Sequence, residues 1–376
     1  MTEQTGSESG SDEVESTPTD ENGPGSTSAD GSGLGSTPTD ENGPGSTSTD
    51  GSGFGPTPVD RDGRASGTLM ASLARPRTET ETRLAVIADP HLSTRGSGTS
   101  KLFEHTETHV RQALTDAAAR NPDAVVCVGD ITKDGEPWNY ERFDELLAEI
   151  DLDVPFYSVP GNHDVPKDGD EHDTLSVSAF ADRYAPDGQF PFHVRVGGVD
   201  LLGINSAGDG EFLTDTHEGE VSAETVSWLA ERLPETETPV VVSHFNLPET
   251  DRQLRAHRDA AEPDMFTPPA IRNAEPFLDV LADNDVPLLL TGHLHMPSTA
   301  QQRGVREVMA PTTCSFPQGY LLVDVGPDGT EIRMVPCADF AGTVRGFRER
   351  SSDSVTARGL TAMAATRLAQ FPLVEE

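Results

Sequence analysis

The chain has 376 residues, of which 34% are hydrophobic, and it carries 64 acidic against 27 basic side chains for a formal charge of −37. No run of about 18 apolar residues occurs, and the N-terminus has neither a basic start nor an apolar stretch, so neither a membrane span nor a secretory signal is expected and the location reads as cytoplasmic. So negative a chain lacks the basic track that duplex binding uses, which disfavours a nucleic-acid partner.

Residues 1–64 hold 13 acids, two bases (Arg61, Arg64) and few large apolar side chains. Such a segment buries too little to offset the entropy of ordering, so a disordered tail is predicted, extending to residue 78. Within it a 20-residue unit at 16–35 recurs at 36–55, each copy with one apolar anchor (Leu34, Phe54), which suits a flexible spacer better than a solenoid. Without residues 1–64 there remain 51 acids against 25 bases, so the folded part itself carries −26. Lysine occurs only at 101, 133 and 167, against 24 arginines. This is the acid-rich, lysine-poor surface typical of halophilic proteins. It repels itself at low salt and is relieved where screening shrinks to roughly 3 Å in molar salt.

From Arg83 onward, short β-rich runs alternate with helical stretches. Strands are predicted at 83–89, 123–130, 154–161, 239–245 and 286–293, and helices at 103–120, 139–150 and 275–284, where apolar residues such as Val110, Leu114 and Ala117 recur at helical spacing. Continuous apolar strands joined by helices imply a largely parallel sheet covered on both faces. Residues 190–206, turning at Gly197 and Gly198, and 320–336, turning at Gly-Pro-Asp-Gly, read as antiparallel hairpins. The outcome is an α/β fold of two packed mixed sheets over 79–340, followed by a C-terminal extension, 341–376, with a helix at 352–370 of unassigned role. Cys127, Cys314 and Cys337 form no metal or disulfide pattern and read as buried thiols; a reactive thiolate inside the apolar run around Cys127 would be costly.

Each predicted parallel strand ends in a polar cluster: Asp89 and His91; Gly129 and Asp130; Asn162, His163 and Asp164; His244; His293 and His295. Ligands of open α/β sheets bind beyond the carboxyl ends of the strands. One such fragment is commonly a cap or a satisfied polar group, whereas five in succession point to a shared site. Carboxylate, imidazole and amide oxygen together suit metals of intermediate hardness. Asp89 with His91, and His293 with His295, are spaced to reach one pocket from an extended strand end, and glycines precede Asp130, Asn162 and His293.

The ordered set D-x-H, GD, GNHD, H and GH-x-H resembles the calcineurin-like metallophosphoesterase family over about 83–335. The resemblance implies a four-layer α-β-β-α sandwich and two divalent or mixed-valence metal ions, with Mn, Fe or Zn as candidates. It further implies that Asp89, His91, Asp130 and His295 hold one metal and that Asp130, Asn162, His244 and His293 hold the other. In this scheme His163, held by Asp164, faces the phosphate as a catalytic group, and a metal-held hydroxide attacks a phosphate ester. The stretch 128–165 and "TTCSFPQGYLLVDV" (312–325) are similar to class III cyclic-nucleotide phosphodiesterases, while the tyrosine that purple acid phosphatases place after GD is replaced by Ile131, Thr132 and Lys133. A small phosphate ester is therefore the expected partner, with a phosphodiester, a phosphomonoester or a nucleotide conjugate as open alternatives, and a non-catalytic scaffold as the rival from another class.

Several histidines and loops stand outside this set. His105 and His109 read as a solvated helix face, His172 as a loop residue near substrate, and His193, His217 and His257 as structural or surface groups. Residues 248–270 and 207–219 read as rim loops; in the first, Arg252, Arg255 and Arg258 are candidate contacts to a substrate phosphate or base, with a solvated surface loop as the equal alternative.

Overall fold

The computed structural model describes residues 67–98, 100–166, 173–208 and 218–376. The repeats, His172, His217 and most of the loop 207–219 lie outside them. In chain order the elements are β1 (Thr68–Leu73), β2 (Thr82–Ile87), α1 (Thr106–Ala118), β3 (Ala124–Cys127), α2 (Pro137–Ile150), β4 (Phe156–Ser158) and α3 (Val177–Tyr184). They continue with β5 (Phe192–Val196), β6 (Val199–Gly203), α4 (Ala223–Arg232), β7 (Pro239–Val242), α5 (Pro248–Ala261), α6 (Ala274–Asp283) and β8 (Leu288–Thr291). The chain closes with β9 (Ser298–Gln302), β10 (Val305–Met309), β11 (Gly319–Gly326), β12 (Gly329–Pro336), α7 (Phe340–Asp353), α8 (Val355–Ala369) and β13 (Val374–Glu375).

Two mixed sheets result, ordered β13-β1-β12-β11-β2-β3-β4 and β5-β6-β7-β8-β10-β9. The period-two alternation of strand side chains builds the layers. Leu84 and Val86 of β2 point between the sheets, with Leu201, Val240, Leu290 and Val323. Their neighbours Ala85 and Ile87 point outward onto Val110, Leu114, Phe143 and Leu146 of α1 and α2. On the opposite side Leu202, Val241 and Leu289 meet Leu229 of α4 and Phe277 and Leu281 of α6. Each such side chain, fully buried, contributes about 1.5–3 kcal/mol. The architecture is the expected α/β sandwich of two mixed sheets flanked by helices, and no helix among the described residues is long and apolar enough to cross a membrane.

Several expectations are corrected. The folded part starts before residue 79: β1 pairs with β12 from Thr68↔Met334 to Leu73↔Thr330, burying Met70, Ala71 and Leu73. The expected loop 248–270 begins as a 14-residue helix, α5, with Pro248 in its first turn. The helix expected at 352–370 is present as α8, capped by Ser354, whose side chain accepts from the Ala357 amide, and a further helix that was not expected, α7, precedes it. That segment is built into the body, because Leu360, Met363 and Ala364 pack on Leu254, Leu294, Met296 and Met309, and β13 adds a parallel strand to β1. The edge hairpin β9–β10 is an element the sequence pattern did not announce. His109 is buried rather than solvated: its Nδ1 donates to the Cys314 carbonyl at 2.9 Å. All three cysteines are buried and free.

Candidate metal centre

The five polar clusters follow β2, β3, β4, β7 and β8 and converge on one rim. Strand alternation is not what joins them. Asp89 (φ 48°), His91 (44°), Asp130 (54°), His293 (75°) and His295 (56°) all adopt left-handed backbone, which costs about 1–2 kcal/mol per residue and persists only where neighbours over-determine it. Here a lattice of amides does so: Asp89 N donates to Gly129 O (3.1 Å), His91 N to Asp130 O (2.9 Å) and Gly292 N to His244 O (3.1 Å). The expectation of extended strand ends is thus replaced by tight turns that aim side chains i and i+2 into the same space.

Asp89, His91, Asp130 and His295 are buried, and one donor atom of each lies within 4.8 Å of the others, a grouping able to hold a metal ion. His91 Nε2 is 2.9 Å from His295 Nε2 and 3.4 Å from Asp130 Oδ2. His295 Nε2 is 3.4 Å from Asp89 Oδ1. A second group shares Asp130, whose Oδ2 is also 3.4 Å from His244 Nε2. Asn162 Oδ1 stands 3.2 Å from both His244 Nε2 and His293 Nδ1.

Three observations fit this donor set to divalent cations. Bonds of about 2.1 Å set neighbouring ligand atoms roughly 3.0 Å apart in an octahedron and roughly 3.4 Å apart in a tetrahedron, matching these spacings. Asp89 Oδ2 is buried and accepts no hydrogen bond among the described residues, an arrangement a cation would satisfy. The outer nitrogens of two histidines lie on backbone carbonyls, His244 Nδ1 on Val128 O (2.8 Å) and His293 Nε2 on Pro269 O (2.9 Å), as metal-ligating imidazoles commonly do.

Burial dominates the electrostatics. It pushes His91 and His293 well below the usual histidine range, with Lys101 and His244 adding repulsion respectively. Burial also opposes the charge of Asp130, yet His244, His163 and His91 hold its carboxyl well below the ordinary value. Burial opposes the charge of His244 most strongly, but Asp130, Asp89 and the Val128 carbonyl together outweigh it and raise the ring to about 9.

Asp164 does not hold His163 as expected. Its carboxylate accepts from the amides of Ile131 (3.0 Å), Thr132 (3.0 Å) and Gly161 (3.1 Å) and from the Tyr140 hydroxyl (3.1 Å). It therefore ties the GNHD turn to the GD turn, and burial, with Asp130 nearby, pushes it up to about 6. The His163 ring instead donates from Nδ1 to Lys133 O (2.7 Å), 3.7 Å from Asp134 Oδ1, while its amide donates to Asp130 Oδ1 (2.8 Å). Arg252, Arg255 and Arg258 pair with Glu249, Asp251 and Asp259 on the surface of α5 rather than reaching the site.

A pocket of about 200 Å³ opens over the centre, lined by Asp130, Asn162, His163, His293 and His295, by Lys101, and by Arg350, Ser354, Thr356, Ala357 and Leu360 from α7 and α8. Sequence reasoning missed this wall. Buried Arg350 donates to the carbonyls of His295 (2.8 Å), Phe316 (2.6 Å) and Leu294 (3.3 Å), bracing the turn that carries His293 and His295.

The sequence model described as Calcineurin-like phosphoesterase matches residues 82–297. The chain belongs to this family. A probable cyclic nucleotide phosphodiesterase of a Pseudoalteromonas strain is 34% identical over 147 residues, 39% of this chain and 52% of that protein, so the chain spans about half of that relative's length. A cAMP/cGMP dual specificity phosphodiesterase of Mycobacterium tuberculosis is 26% identical over 274 residues, 66% of this chain and 78% of that protein. A dimetal phosphatase from Danio rerio superposes with a TM-score of 0.52 at 14% identity, covering 69% of this calcineurin-like chain and 97% of that one, a likeness of fold.

Proposed function

We propose that this family member is a two-cation phosphoesterase acting on a small phosphate ester, with a phosphodiester of the cyclic-nucleotide class as preferred substrate. Asp89, His91, Asp130 and His295 hold one cation, and Asp130, Asn162, His244 and His293 the other; Mn, Fe and Zn suit these donors. The observation that carries the reading is the position of Asp130 Oδ2, 3.4 Å from the Nε2 atoms of both His91 and His244 and so shared by the two groups. The names of the sequence relatives support the substrate class.

Bound cations contribute Lewis acidity and lower the pKa of the attacking water. The chain's own groups do the rest. The His163 amide fixes one Asp130 oxygen, leaving the other for the shared position. Anchored at Nδ1 by the Lys133 carbonyl, His163 presents Nε2 on the pocket side, where in its doubly protonated, imidazolium form it would donate a proton to a departing alkoxide, a role typically worth about 10²–10⁴ in rate. Asp164 fixes the turn beneath it. Purified protein in molar KCl with Mn²⁺ is expected to hydrolyse bis-p-nitrophenyl phosphate and a cyclic nucleotide. Equal nitrophenol release by wild type and Asp130→Ala would refute the proposal.

A further inference from the structure

Resting on that reading, we propose that Lys101 is a substrate-binding residue whose ammonium contacts an anionic oxygen of the phosphate beside His163. Its Nζ lies 3.0 Å from His163 Nε2 and 3.4 Å from His91 Nδ1, in the wall of the pocket that Asp130, Asn162 and His293 line. It therefore stands between the ring facing the leaving group and a ring of the first cation's ligand set.

Charge gives this position its meaning. In molar salt the −26 of the folded part is screened beyond roughly 3 Å, so what a phosphate meets in the pocket is set by the charges within contact range of it. Arg350 also lines the pocket, but its guanidinium is committed to the Leu294, His295 and Phe316 carbonyls. Lys101 brings an ammonium on a flexible stem, a compact charge that can follow a phosphate oxygen without the fixed fork of a guanidinium.

Residue usage points to the same place. The chain uses arginine 24 times and lysine three times, and the lysines follow the site's motifs: Lys101 ten residues after His91, Lys133 three after Asp130, and Lys167 three after Asp164. A composition so poor in lysine has kept two of its three lysines around His163, Lys101 at its ring and Lys133 through its carbonyl.

A contact to phosphate charge, unlike a structural role, distinguishes ligands by charge. The test is calorimetry on the full chain loaded with Mn²⁺ in molar KCl, titrating phenylphosphonate as the dianion and its methyl ester, a monoanion of similar shape. Wild type is compared with Lys101→Met and Lys101→Arg, each checked for an unchanged unfolding midpoint. Lys101→Met should bind phenylphosphonate about 10- to 150-fold more weakly, the range of a charge-assisted hydrogen bond, with a smaller loss for the methyl ester and recovery in Lys101→Arg. Unchanged binding, or equal losses for both ligands, would overturn the proposal. Turnover of bis-p-nitrophenyl phosphate by the same wild-type sample separates the two readings: turnover with charge-blind binding leaves the hydrolase and removes Lys101, whereas charge-dependent binding without turnover does the reverse.

Discussion

Replacing Gly161 by alanine tests how closely the GNHD turn and the GD turn are fitted. A Cβ on Gly161 would lie 2.5 Å from the Asp130 amide nitrogen and 2.8 Å from its Cγ, and would collide outright with Oδ1, where ordinary contact begins at 3.4 Å. One turn must therefore retreat by about 1 Å, and neither is free to do so. Gly161 N donates to Asp164 Oδ2 (3.1 Å) and the His163 amide to Asp130 Oδ1 (2.8 Å). Overpacking of this kind costs about 1–3 kcal/mol of stability, small against the fold. The same displacement at a shared ligand costs about 100-fold in rate. Gly161→Ala should thus unfold cooperatively at a slightly lower urea midpoint, hold less metal by elemental analysis, and show kcat/KM on bis-p-nitrophenyl phosphate reduced about 100-fold. A variant retaining full metal content and kcat/KM within about threefold of wild type would refute the reasoning, because the seat of Asp130 would then not depend on the bare backbone at 161.

Removing the charge of Arg350 (Arg350→Met) strands three buried carbonyls and should lower stability by about 3 kcal/mol or more while weakening metal binding through the His293 and His295 turn; denaturant titration and metal analysis check both. Away from the centre, Asp200 accepts from the Glu237 and Thr238 amides, His193 and Arg195, which together overcome the opposing effect of burial and bring its carboxyl down to about 2. A depressed carboxyl stabilises the fold above its unfolded value and loses that stabilisation as pH falls toward 2, so Asp200→Asn should remove about 1–2 kcal/mol of stability at pH 7, and the gap to wild type should close between pH 4 and 2 in urea titrations. The charge of −26 on the folded part predicts a melting temperature that rises between dilute buffer and molar KCl; a flat profile contradicts the salt-requiring reading.

The strand-end motifs were legible because each is local: a buried run such as Ala124–Cys127, then two or three polar residues, announces both the strand and its rim. Left-handed backbone at Asp89, His91, Asp130, His293 and His295 was not legible. These residue types tolerate it, but only the amide lattice between neighbouring turns imposes it. Contacts distant in sequence were equally hidden. β1 needs β12 to become a strand, α8 needs Leu294 and Met309 to bury Leu360, Met363 and Ala364, and the anchoring of His163 by Lys133 rather than Asp164 emerges only when two turns interlock. The Ser298–Gln302 edge strand escaped because its sequence, STAQQ, is polar and buried on one side only. The rarity of lysine was a visible signal for Lys101, but one that acquires meaning only beside His163.

The sharing of Asp130 between two cations is most directly tested by anomalous diffraction from crystals of the Mn²⁺-loaded chain. Two peaks about 3.5–4 Å apart, one between Asp89, His91 and His295, the other between Asn162, His244 and His293, with the Asp130 carboxylate touching both, are the expected result. A single peak, or two peaks of which Asp130 touches only one, would contradict it.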